Sequence, residues 1–179
     1  RRAAAAAHNL NAQAFKKSVR TRTTMEVMRM FRDKQRFWTP GSLDYRGRWY
    51  PIPSALTIQD TDFGKALLTF ADGAFMLPEG EDWLAFSVAT TYGCGLDKAT
   101  IEERLQWVED NQSHIHAVAT DPIGNLDLWA CADDPWQHLA SCEEFNAILI
   151  DFTRSVTHLP VAVDATCSGI QVLSGLAKD

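Results

Sequence analysis

One stretch constrains this chain more than any other: Leu159-Pro160-Val161-Ala162-Val163-Asp164-Ala165-Thr166-Cys167-Ser168-Gly169-Ile170-Gln171. Five apolar residues bounded by polar ones read as a buried strand over 159–163. Such a strand would deliver Asp164 at its tip, the edge at which open α/β sheets hold ligands. Small residues then turn the chain into another helix near Gly169. The same carboxylate would serve equally as a plain cap on that helix.

The totals are those of a globular body. With 179 residues, 46% of them hydrophobic and 22% charged, the chain can bury a core as one domain or one domain plus part of a neighbour. No apolar run approaches the roughly 20 residues that span a bilayer, and the basic, alanine-rich start lacks the apolar region of a secretory signal. Cys94, Cys131, Cys142 and Cys167 show no CxxC spacing, which fits a reducing compartment better than a disulfide scaffold. The absence of an initiator Met and the stop at Asp179, inside a helical pattern, suggest an internal fragment of a longer protein.

Charge is unevenly spread. The net charge of −6 divides into +8 over residues 1–37, where ten Lys/Arg face only Glu26 and Asp33, and −14 over the rest. A basic arm on an acidic body is how a nucleic-acid contact hides in an acidic total, although solvated helix faces give the same count.

Residues 1–17 are good helix material, and Thr23 with Glu26 has capping-box spacing for a second helix through about Lys34. That helix would place Arg29, Arg32 and Arg36 on one face. Arg36-Phe37-Trp38-Thr39-Pro40 reads as a strand, followed by Asp44-Tyr45-Arg46-Gly47-Arg48-Trp49-Tyr50. If extended, Asp44, Arg46, Arg48 and Tyr50 share a face, unless Gly47 breaks the alternation. Guanidinium groups grip phosphates bidentately and aromatics stack on bases; an Asp–Arg pair in a β-turn is the alternative. Lys65 alone is an ordinary surface lysine.

Further on, Glu81–Tyr92 reads as a helix burying Trp83, Leu84, Phe86, Val88 and Ala89. Thr100 and Glu103 form a capping box for a helix with Ile101, Leu105 and Val108 inward, leaving Glu102, Glu103, Glu109 and Asp110 in water. Asp134-Pro135-Trp136-Gln137 opens a helix that buries Leu139, Cys142, Leu149 and Phe152. His114 and His116 find no third ligand at sensible spacing. His138 and Cys142 are four apart with Cys131 nearby, so a zinc site is conceivable, but Cys142 falls on the apolar stripe, which favours core packing.

Asp164-Ala165-Thr166-Cys167-Ser168-Gly169-Ile170-Gln171 closely resembles motif A of the single-subunit, bacteriophage-type DNA-directed RNA polymerases. A second element resembles that family's Asp-x-x-Gly-Arg motif: Asp44, Gly47 and Arg48, with Arg46 and Tyr50 beside them. The tract Arg2–Ala6, the segment Asp62–Phe70 and Leu96-Asp97-Lys98 extend the likeness over nearly the whole chain.

The resemblance implies an α/β (mixed α+β) fold, with residues 1–35 as the end of a helical thumb. Residues 36–179 would be a palm, a small sheet flanked by helices, up to the start of the fingers. It implies template-directed nucleotidyl transfer from ribonucleoside triphosphates to an RNA 3′ end. Asp164 would be the catalytic carboxylate and, with the Ala165 carbonyl, a ligand of Mg2+, two ions serving the complete enzyme. Asp44, Arg46, Gly47, Arg48 and Tyr50 would lie along the template–transcript hybrid, with Lys65 nearby and Ser168, Gly169 and Gln171 beside the nascent pair.

The partners implied are DNA template, nascent RNA and ribonucleoside triphosphates, with no membrane, in an enzyme that is a monomer when complete. Ser168 and Ile170 favour the phage branch, hence phage genes transcribed in the cytoplasm of a host bacterium. Ala165 replaces the commoner Gly and Val172 a common His. No His-Asp dipeptide of the family's later motif occurs, so the fragment alone is expected to polymerise nothing. An organellar or plasmid-borne relative, a non-catalytic nucleic-acid-binding module and a magnesium hydrolase remain as alternatives.

Overall fold

The computed structural model describes the backbone of residues 2–163 and the side chains of residues 7–163. It is a mixed α+β arrangement in which helices dominate. Helix α1 (Arg2–Phe31) leads to a hairpin of β1 (Gly41–Leu43) and β2 (Trp49–Pro51), then to short α2 (Asp62–Ala66) and β3 (Ala74–Phe75). Helices α3 (Pro78–Tyr92), α4 (Ile101–Asp110), α5 (Gln112–Thr120), α6 (Leu126–Trp129) and α7 (Pro135–Phe145) follow. A π-helical turn (Asn146–Ile150) continues α7 and leads to β4 (Val156–Thr157). Among the described residues the sheets are two antiparallel pairs: β1 with β2, where Ser42 faces Tyr50, and β3 with β4, where Phe75 faces Val156.

The core lies where α3 packs on α7 and α4, and α5 on α7. Leu84, Val88, Ala89, Val108, Ile115, Val118, Cys142, Phe145 and Ile148 fill it. Helix α4 starts in the expected way: the Glu103 amide donates to Thr100 Oγ1 at 3.2 Å, and the Thr100 amide to Glu103 Oε2 at 2.9 Å. Its inner face differs from expectation. Ile101 is half exposed, and Arg104 is buried instead. Arg104 donates to the carbonyls of Ala99 and Asp97 and to Thr90 Oγ1, and its guanidinium lies 4.6 Å from the Phe86 ring centre. A buried cation is tolerable there because its donors are used. His138 and Cys142 pack in the core as expected, Cys142 Sγ 3.4 Å from His138 Nε2.

Trp83, expected on the buried side of α3, is exposed, and further local expectations fail for identifiable reasons. α1 is one helix, and Thr23 lies inside it. Ser18-Val19-Arg20-Thr21-Arg22 contains neither Gly nor Pro, so nothing stops the upstream helix. Residues 36–40 form no strand; the ladder begins at Gly41, and only the Pro40 carbonyl reaches across, to the Ile52 amide. Residues 159–163 form no strand either. Pro160 has no amide to give a ladder, and the pairing lies just upstream, at Val156–Thr157. Finally, Phe152 is exposed rather than on the α7 stripe. The π turn shifts the helical phase at Asn146, and Phe152 itself takes a left-handed φ of 52°.

Candidate nucleic-acid interface

The Asp44–Tyr50 element is a hairpin turn that contains the Asp–Arg pair of the turn alternative. Asp44 Oδ1 accepts the amides of Arg46 at 2.8 Å and Arg48 at 2.9 Å, while Oδ2 accepts Arg46 Nε at 2.9 Å. The Arg48 amide, with the guanidinium and amide of Arg46, holds the Asp44 carboxyl below the usual carboxylate range. Gly47 sits at φ +76°, which explains a glycine at the turn, and its amide donates to the Asp44 carbonyl. Arg46 reaches on to the Tyr50 hydroxyl at 3.3 Å. The alternation expected of an extended strand is therefore broken at Gly47. Asp44, Arg46 and Tyr50 are still gathered, by the turn instead of the pleat. Arg48 makes no side-chain bond among the described residues, and Tyr45 is almost fully exposed. The surface presents cations and aromatic rings to solvent, a combination that suits a nucleic-acid backbone.

Helix α1 exposes Arg22 and Arg29, and the turn that follows it exposes Arg32. The helix is tied to the body by Arg20, whose Nε and Nη2 donate to Asp60 Oδ1 at 3.1 and 2.7 Å. Asp60 has a fully buried side chain and also accepts the amides of Leu56 and Thr61. The sequence reading overlooked this residue; an acid shortly before an N-cap threonine gives no signal on its own.

Asp62 was missed in the same way. The Asp134 side chain makes no capping bond to α7. Instead Asp62, at the start of α2, accepts the Trp136 amide on Oδ2 at 2.8 Å, and the Gln137 amide and Nε2 on Oδ1 at 3.0 and 3.1 Å. A carboxylate from another helix thus satisfies the exposed N–H groups of α7. Asp134, crowded by burial and then by Asp62, has its carboxyl raised above the usual range.

Lys65 follows on α2. It lies in the wall of a cavity of about 200 Å³, with Ala66 and Leu68 from its own segment, Ser87 and Thr91 from α3, and Ser141 from α7. Leu159, Pro160, Val161 and Ala162 line it too. Lys65 therefore shares a cavity with residues 159–162. Asp164, Ala165, Ser168, Gly169 and Gln171 themselves lie outside the described residues. Among the described residues no cluster of three His, Cys, Asp or Glu groups has a metal-holding arrangement, and no helix is long and apolar enough to cross a membrane.

Residues 76–179, more than half of the chain, match the family described as DNA-dependent RNA polymerase. The mitochondrial DNA-directed RNA polymerase of Neurospora crassa is 38% identical over 157 residues, 87% of this chain and 11% of that protein. DNA-directed RNA polymerase 2, chloroplastic/mitochondrial, of Arabidopsis thaliana is 30% identical over 97% of this chain and 17% of its own length. The human mitochondrial DNA-directed RNA polymerase is 33% identical over 96% of this chain and 13% of its own length. The chain thus spans less than a fifth of these relatives. Their names overturn the expectation of a bacterial host's cytoplasm: they are proteins of mitochondria and chloroplasts, and likeness to motif A alone did not separate the branches. The motifs, the family match and these relatives agree on one point: the chain belongs to the DNA-dependent RNA polymerase family.

Proposed function

We propose that the chain is the end of the thumb (residues 1–35) and the palm (residues 36–179) of a single-subunit DNA-directed RNA polymerase of the organellar type. The complete enzyme adds ribonucleotides to an RNA 3′ end, opposite a DNA template, as a monomer. The observation carrying this reading is the family match over residues 76–179, which includes Asp164 and its flanking motif. The organellar assignment rests on the relatives, which are mitochondrial or chloroplastic by name.

Asp164 and the Ala165 carbonyl are an all-oxygen donor pair, the kind a hard Mg2+ requires, and they would hold it. Bound there, Mg2+ supplies charge stabilisation for phosphoryl transfer. The other residues position nucleic acid. Arg46, fixed by Asp44 and Tyr50, and Arg48 and Lys65 track phosphates without reading bases. Ser168, Gly169 and Gln171 lie beside the nascent base pair.

Asp164→Asn in the complete enzyme tests the reading. Nucleotide addition on a primed hybrid should fall by several orders of magnitude while hybrid affinity changes little. Near-normal synthesis would remove Asp164 from the catalytic centre.

A further inference from the structure

Asp62 has a role that its type and position in sequence do not announce. Its two carboxylate oxygens take three donors from the first turn of α7. The contact is reinforced by Phe63, whose ring meets Trp136 edge-on with centres 5.2 Å apart. Helix α2 is only five residues long, so its orientation cannot be set by its own hydrogen bonds. The clamp to α7 sets it.

Lys65 is three residues beyond Asp62 on the same short helix. Among the described residues its ammonium forms no ion pair. It is exposed and lines the cavity that residues 159–162 also line. Gln137, which bonds Asp62, lines the same cavity. Losing the clamp therefore frees the lysine from the wall it shares with the approach to Asp164.

We propose that Asp62 is a positioning residue: by clamping α2 to the N-terminus of α7 it aims Lys65 at a phosphate of the bound template–transcript hybrid. This rests on the polymerase reading of Lys65. Asp62 itself meets no nucleic acid; both of its carboxylate oxygens are taken up by the α7 donors.

The test uses the complete polymerase and a fluorescent RNA–DNA hybrid, with affinity measured across a series of KCl concentrations. Each phosphate contact contributes about 0.7–0.9 to the slope of log affinity against log salt. Lys65→Ala should lower the slope by about that amount. Asp62→Ala should lower it equally, and the double variant should fall no further than Lys65→Ala alone. Should Asp62→Ala fail to fold, Asp62→Asn takes its place, because an amide leaves only one acceptor for the α7 donors; the same reduced slope is expected. An unchanged slope in the Asp62 variants, with a reduced one in Lys65→Ala, overturns the positioning role and leaves Lys65 as a phosphate contact. An additive double variant also overturns it. An unchanged slope in Lys65→Ala overturns the reading of Lys65 and the inference with it.

Discussion

His138 shows how much one side chain can report. It is fully buried, with Nδ1 3.1 Å from the Val88 carbonyl and Nε2 beside the Cys142 thiol. That geometry makes Nδ1 the donor and Nε2 the acceptor. Burial lowers its pKa to about 4, and His114, 6.1 Å away between ring centres, is lowered by burial too. A folded pKa below the unfolded 6.5 means that the folded state excludes a proton the open state accepts. The stability it contributes is complete above about pH 6.5 and is lost as pH falls toward 4. At pH 5 the core of α3 and α7 should open at a free-energy cost lower by about 2 kcal/mol than at pH 7. Amide exchange, corrected for intrinsic rates, measures this; equal protection at the two pH values would mean that His138 is not held neutral. Burial of Cys142 pushes its thiol well above its ordinary range, so this cysteine stays protonated and packs as an apolar side chain.

Among the elements, α1 depends on a narrow attachment. Asp60→Ala would strand the Leu56 and Thr61 amides as well as Arg20, costing about 2–4 kcal/mol locally. Arg20→Ala should cost less than Asp60→Ala, because the buried Asp60 carboxylate keeps the Leu56 and Thr61 amides as donors. Faster proteolysis in residues 32–40 in the order Asp60→Ala, Arg20→Ala, wild type checks the ranking; equal rates would place the attachment elsewhere. The sequence made the local signals of these elements legible. The Thr100–Glu103 box, Pro135 at the start of α7 and the apolar stripe through Cys142 are each set within a few residues. What it hid was long-range. Nothing adjacent to Asp60 or Asp62 marks them as partners of residues 40 and 75 positions away. The Thr23–Glu26 spacing misled because a cap needs the preceding helix to stop, and here it does not. The Asp44–Arg48 site was readable as residues but not as shape, since Gly47 turns a strand-like alternation into a loop.

On the scale of the whole molecule, charge separation is the dominant property. Residues 1–37 carry +8 and the rest −14, and Arg22, Arg29 and Arg32 stay exposed while the acids of α4 also face solvent. Replacing Arg22, Arg29 and Arg32 with Gln in the complete polymerase should weaken hybrid binding uniformly across unrelated sequences. The salt slope should decrease by as much as about 2–3. Loss confined to one sequence, measured by the same fluorescence titration, would contradict a backbone-tracking role.

The single-piece α1 has a mechanical corollary. From Arg20, where it is pinned, to Arg2 is about 27 Å of unbroken helix at 1.5 Å per residue. A stiff rod pivoting there amplifies: about 10° of tilt at the fulcrum sweeps its far end through about 5 Å, close to one nucleotide step along a strand.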